Sequence, residues 1–159
     1  KLMENETIYA GGQGDGQKIA PTLLDHVTWN SPIMQEEIFG PILPVLSFCS
    51  LDEAVHEINR RERPLACYIF TDKEEQAKAL LRAISFGGGC INDTLVHTSN
   101  PHLPFGGVGN SGLGSYHGKK SFDTFTHYKS IVYRGKADLP FRYPPFGEHK
   151  TNMLKQFLK

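Results

Sequence analysis

From residue 41 onward the chain alternates between unbroken apolar runs and helical stripes. Residues 42–48 are almost continuously apolar, the pattern of a strand buried on both faces. Ser50 and Glu53 then form an S-x-x-E capping box, and Leu51, Ala54, Val55 and Ile58 recur at the spacing of one helix face. Pro64 lies beyond that helix, and residues 65–70 read as a second buried strand. Thr71 with Glu74 repeats the capping box. Ala77, Leu80, Leu81 and Ile84 repeat the stripe, and Gly87-Gly88-Gly89 is expected to end it. Residues 90–92 make a third, short strand. Strand–helix–strand–helix–strand with brief connections predicts parallel pairing and right-handed crossovers. The fold class expected is therefore α/β, a partial parallel three-layer sheet whose apolar strands want helices on both faces.

Before residue 41 the pattern is weaker. Residues 6–12 are a short β-type run closed by a glycine pair, and residues 13–17 are a turn. Residues 18–24 resume as extended chain, with Pro21 favouring an edge position. Together they predict a small antiparallel excursion. Residues 94–118, rich in Gly, Pro, Ser, Asn and His, form a loop long enough to be read as functional. Residues 128–133 alternate like a strand, residues 142–147 break the chain, and residues 151–158 read as a terminal helix.

Composition narrows the partners. Seventeen basic and seventeen acidic side chains balance, so no nucleic-acid partner is implied. Residues 117–159 hold nine Lys/Arg against Asp123, Asp138 and Glu148. Such a tail could meet an anionic membrane, but a solvated surface is the reading preferred. No apolar run approaches a membrane span. The opening Lys1-Leu-Met-Glu-Asn-Glu6 has no signal-peptide core and reads as a helix end cut in its middle, so a truncated cytoplasmic protein is the expectation. Cys49, Cys67 and Cys90 form no CxxC pair, which argues against a zinc ribbon or a disulfide scaffold and for a reducing compartment.

The most informative stretch is Met34-Gln35-Glu36-Glu37-Ile38-Phe39-Gly40-Pro41, which sets two carboxylates and an aromatic ring before a Gly-Pro break. Taken alone it is either a presented acid and flat apolar face, or a solvated Glu pair beside a core Phe. It resembles the EEIFGP motif of the aldehyde dehydrogenase superfamily. The Gly-rich run from Leu103 through Tyr116-His-Gly-Lys-Lys-Ser-Phe122 to His127 resembles that superfamily's signature, with a continuation similar to the class 3 branch for fatty and aromatic aldehydes. The resemblance runs from about residue 6 to about residue 146 and corresponds to the C-terminal third of a full-length enzyme.

The resemblance implies oxidation of an aldehyde to a carboxylic acid with NAD or NADP as oxidant. It implies that Glu37 hydrogen-bonds the nicotinamide ribose and that Phe39 packs beside it. Counting back from Pro104-Phe105, it places Leu95, Thr98 and Ser99 in the loop lining the substrate tunnel. Phe105 and Tyr116 are candidates for pocket walls or supports, with plain packing as the equal alternative. It further implies that residues 1–127 are the C-terminal part of the catalytic domain. Residues 128–159 are then an oligomerisation strand and tail, through which subunits pair as a homodimer. In the family a thiolate attacks the aldehyde, a hydride leaves to NAD(P)⁺, and a Glu activates water. Both catalytic residues lie upstream of anything in this chain, so it holds no catalytic residue and is expected to be inactive alone. A non-catalytic interaction or oligomerisation module derived from such an enzyme is the alternative.

Three other readings are set aside. Gly107-Val-Gly-Asn-Ser-Gly112 matches G-x-G-x-x-G, but prolines precede it, glycines follow it, and no acid lies about twenty residues on. It is better read as a loop whose missing Cβ atoms permit close backbone approach. His97, His102, His117 and His127 lack the spacing of a metal site. The three thiols are read as small buried hydrophobes.

Overall fold

The computed structural model describes residues 2–139 and 142–158. They fall into two compact units, Lys1–Thr124 and Phe125–Lys159. The first unit has an α/β architecture built on two small sheets, each containing a parallel pair.

In the first sheet β1 (Thr7–Ala10) pairs antiparallel with β2 (Thr22–Asp25), with an irregularity between Ile8 and Ala10, and β2 pairs parallel with β3 (Ile42–Pro44). Strand β2 is thus the middle strand, contrary to the edge position expected of Pro21. The proline stands just before the first laddered residue, where its missing N–H costs no ladder bond. Period-two alternation decides what β2 buries: Thr22 and Leu24 point inward. The Thr22 hydroxyl is satisfied there, accepting from Gly12 N at 2.9 Å and donating to Ala20 O at 2.7 Å. Leu24 packs with Val27 and Ile33 into a core that Met34, Ile38, Ile42 and Leu46 extend. Leu24 and Ile33 are fully buried, each contributing about 1.5–3 kcal/mol through burial.

The second sheet pairs β4 (Ala66–Ile69) with β5 (Gly88–Ile91) in parallel register, Ala66 opposite Gly88. Two helices flank β4 in sequence, α1 (Leu51–Asn59) and α2 (Glu74–Ala83). Asn59 Nδ2 ties their ends together by donating to Ala83 O at 2.8 Å. The one continuous parallel sheet expected from three strands is not what the described residues form, because β3 ladders with β2 and not with β4. Val45 N donates to Leu24 O on the β2 side. Pro44 would be the donor on the opposite edge, and it has no N–H. Nor are residues 42–48 covered on both faces, since Leu43, Val45 and Phe48 are exposed.

The Ser50 cap forms as expected: its hydroxyl accepts from Glu53 N at 3.2 Å, while Glu53 returns to Cys49 N at 2.9 Å. The Thr71 cap does not. Lys73 takes the N-cap position of α2, and the Thr71 backbone is held by two hydrogen bonds to the Asn92 side chain, Thr71 N donating to Oδ1 and Nδ2 donating to Thr71 O, both at 2.8 Å. The glycine run does not end α2 either. The helix stops at Ala83, and Gly88 and Gly89 already belong to β5. Beyond β5 come a single turn, α3 (Val96–Ser99), and α4 (Gly118–Phe125).

In the second unit α5 (Glu148–Phe157) begins three residues earlier than the periodicity suggests. Residues 128–133 form no strand. A strand needs a ladder running along its length, and no ladder forms at residues 131–133 among the described residues. Ile131, Val132 and Tyr133 stay more than three quarters exposed.

Candidate functional site

The loop before β3 is fixed at both ends and bare in the middle. A 3-10 turn at Pro32–Met34 drives Ile33 into the core, and Gln35 Nε2 donates to Trp29 O at 2.8 Å. Ile38 packs against the same core, and Pro41 O accepts from Thr22 N at 2.8 Å. Between these anchors Glu36, Glu37 and Phe39 are exposed. Phe39 is 92% exposed, which removes the reading of a core Phe. No hydrogen bond or ion pair engages the Glu37 carboxylate among the described residues.

Glu37 lines a cavity of about 350 Å³ with Glu62, Arg63, Pro64, Leu65, Asn110 and Ser111. Phe39 is not among its walls. The Gly-rich loop reaches this cavity because Gly87 lets it: a Cβ there would overlap Gly106 O and lie 2.6 Å from Leu65 O. Close backbone approach was the role expected of that loop. Asn110 Nδ2 donates to Glu62 Oε1, and Ser111 Oγ bridges Val108 N at 2.9 Å and Val108 O at 3.0 Å. Gly109–Ser111 is a 3-10 turn, with neither a strand before it nor a helix directly after it, so the dinucleotide fingerprint is absent here.

A carboxylate can only accept hydrogen bonds, and an unengaged, exposed one offers both oxygens. That suits a vicinal diol such as a ribose. A flat apolar ring two residues on suits a planar heterocycle. The residues present therefore fit the nicotinamide end of a dinucleotide.

The other end of the Gly-rich loop lies in a different setting. Phe105 and Tyr116 exchange both backbone hydrogen bonds, at 2.9 and 3.0 Å, and their rings meet edge to face at 5.8 Å. Phe105 also meets His97 at 5.9 Å and stacks on His117 at 6.2 Å. Leu95 is exposed, in left-handed backbone conformation (φ 62°), at the start of α3. Thr98 and Ser99 hydroxyls donate back to Leu95 O and Val96 O at 2.8 and 3.1 Å. Satisfied locally, these hydroxyls leave a weakly polar face. The structure thus brings α3 and Phe105 together through His97, and brings Glu37 to Asn110 and Ser111.

Two features escaped sequence reasoning. His97 is the buried residue of α3, with Cys90 Sγ at 3.6 Å from its Nδ1 and Tyr68 at 5.8 Å. Its place directly after Leu95 and Val96 was the available signal. Glu62 falls in an Arg-rich run with no local pattern to mark it. The cysteine reading also needs correction: Cys49 is exposed, because the run to Phe48 is uncovered, whereas Cys67 and Cys90 are half-buried. Burial in β4 pushes the Cys67 thiol up, away from thiolate reactivity.

A cavity of about 490 Å³ where α1 and α2 end is lined by Arg61, Arg63 and Arg82. Helix C-termini carry partial negative charge, and these cations complement it. Arg61 also stacks 3.8 Å over the Trp29 ring and donates to Glu57 Oε2 at 2.7 Å, which holds the Glu57 carboxyl below its ordinary range. Among the described residues no three His, Cys, Asp or Glu side chains gather as a metal site, and no helix is long and apolar enough to cross a membrane.

Residues 2–131 match the aldehyde dehydrogenase family. The chain is 52% identical over 155 residues to the 4,4'-diaponeurosporen-aldehyde dehydrogenase of Staphylococcus aureus (96% of this chain, 34% of that protein). It is 49% identical over 149 residues to the dimeric NADP-preferring aldehyde dehydrogenase of Canis lupus familiaris (91% and 33%). To aldehyde dehydrogenase family 3 member B1 of Homo sapiens it is 50% identical over 152 residues (92% and 32%). A solved structure, the substrate-bound state of Staphylococcus aureus AldH, superposes with a TM-score of 0.88 at 50% identity, covering 99% of this chain and 35% of that one. The chain spans about a third of the length of these relatives.

Proposed function

The chain belongs to the aldehyde dehydrogenase family, and from that premise we propose that it supplies the nicotinamide side and one substrate wall of a full-length NAD(P)-dependent enzyme. That enzyme oxidises aliphatic or aromatic aldehydes: aldehyde, NAD(P)⁺ and water give carboxylic acid and NAD(P)H. Similarity to a family 3 member and to an NADP-preferring relative supports this class. The attacking thiolate and the dinucleotide domain come from the remainder of the protein.

The observation that carries the reading is Glu37, an unengaged carboxylate on a core-anchored loop, in a cavity shared with the loop that carries Phe105. NAD or NADP, when bound, supplies the hydride acceptor. Glu37 accepts from the ribose hydroxyls, and Phe39 limits where the ring can swing. Leu95, Thr98, Ser99, Phe105 and Tyr116 form a weakly polar wall that favours apolar aldehydes and excludes water. In the assembled enzyme β3, β4 and β5 join a larger three-layer sheet.

Residues 1–127 are the catalytic part, and residues 128–159 the pairing tail. Exposed Ile131, Val132 and Tyr133 support that division, since they offer an unpaired strand-like edge to a second copy. A homodimer is the proposed assembly, and a relative described as dimeric agrees with it.

The test is spectroscopic. The full-length protein, given hexanal or benzaldehyde with NAD⁺ or NADP⁺, should form reduced cofactor, and the 159-residue chain alone should form none. Absence of turnover by the full-length protein with both aldehydes and both nucleotides contradicts the proposal. So does turnover by the isolated chain.

A further inference from the structure

Helix α3 has little to hold it in place. It is four residues long, starts from a left-handed Leu95 and has no side-chain cap. A single turn of this kind is not stable by itself. What fixes it is the ring of His97, which is only 6% exposed. That ring is packed from three directions: edge-on to Tyr68 of β4 at 5.8 Å, tilted against Phe105 at 5.9 Å, and with Nδ1 at 3.6 Å from Cys90 Sγ of β5. Beneath it, Gly88 leaves space: a Cβ there would come 2.9 Å from His97 Cδ2.

Packing alone does not account for an imidazole here. His97 Nε2 is buried with no hydrogen-bond partner among the described residues. An apolar side chain would fill the slot without stranding a polar atom. The imidazole adds a thin flat ring that fits over Gly88 and a directional contact to Cys90.

We propose that His97 is a positioning residue that sets the width of the aldehyde channel. It locks the α3 wall (Leu95, Thr98, Ser99) to the Phe105–Tyr116 wall and both to β4–β5. This rests on the reading that those walls line the channel. His97 itself does not touch substrate. Its effect falls on aldehydes large enough to reach both walls and spares those that are not.

The experiment compares hexanal or benzaldehyde with propanal in the full-length enzyme. In His97→Ala the KM for the larger aldehydes should rise about tenfold, the scale on which small misplacements of a wall act. KM for propanal, kcat for propanal and KM for NAD(P)⁺ should stay near wild type. Gly88→Ala keeps the imidazole but presses on it, and should shift the same size ratio in the same direction by less. That variant serves if His97→Ala does not fold. A wild type without aldehyde oxidation sinks the proposed function and this inference together. An active wild type whose size ratio is unmoved in the variant, or whose kcat falls equally for every aldehyde, overturns the inference alone.

Discussion

Beneath Glu37 and Phe39 lies an apolar core of ordinary kind: Leu24, Val27 and Ile33 buried, with Ile38 reaching down from the loop itself. Beneath Leu95, Thr98 and Ser99 there is no such core, only a buried imidazole among two aromatic rings and a thiol. Both segments leave most of their proposed chemistry exposed, Thr98 alone being half-buried. The first holds it by hydrophobic burial, which is non-directional and tolerant. The second holds it by the fit of flat rings over glycine, which is specific and has little reserve. A cofactor site that must hold one fixed part of one molecule can rest on the former. The proposed aldehyde channel would be set by the latter.

The strongest way to break this contrast is Ile33→Ala. Emptying a fully buried position should cost about 2–5 kcal/mol in urea unfolding of the full-length protein, and NAD(P)⁺ affinity should fall with it. Unchanged unfolding would show that the loop does not depend on this core. Gly87→Ala comes next, at about 1–3 kcal/mol, because its new Cβ meets Gly106 and Leu65 backbone that cannot swing aside. Since Gly106 links both regions, aldehyde and cofactor KM values should move together, whereas His97→Ala separates them.

Smaller effects sharpen the picture of the scaffold. Ser50→Ala removes the α1 cap and should cost about 1 kcal/mol by thermal unfolding, leaving both KM values unchanged. Glu57 provides the pH test. Arg61 lowers its folded-state pKa below the ordinary value. Its stabilising contribution is therefore complete above the ordinary carboxylate pKa and is lost as pH falls through the depressed one. Wild type should lose stability below about pH 4.3, and Glu57→Gln should lose less over the same range. Exposure and salt keep this contribution small.

How much of this was legible beforehand depends on the range of the interaction. The Ser50 cap and the stripe of α1 are local and were readable. So was β4, whose apolar run has few alternatives, whereas β5 was legible only in its second half because Gly88 and Gly89 read as the end of α2. The Thr71 cap failed because its hydroxyl accepts from Lys73 N and donates to Gln76 Oε1, while Asn92, twenty-one residues away, holds the Thr71 backbone. The split into two sheets was not readable, since pairing of β3 with β2 turns on which edge Pro44 faces. The meeting of Glu37 with Asn110 and of His97 with Phe105 is tertiary and leaves no periodic trace. Exposure of Phe39 was one of two open readings, and the core beneath Ile38 decides it. Residues 128–133 carry the alternation of a strand, yet local pattern cannot supply the partner that a ladder requires.

The central claim is that Glu37 holds the nicotinamide end of the cofactor. Titration calorimetry of NAD⁺ and NADP⁺ into the full-length protein and its Glu37→Gln variant tests it most directly. Glutamine keeps the shape but loses the charge and one acceptor oxygen, so Kd for the nucleotide the enzyme uses should rise about tenfold, with unfolding unchanged. Equal affinity in the two proteins would contradict the account.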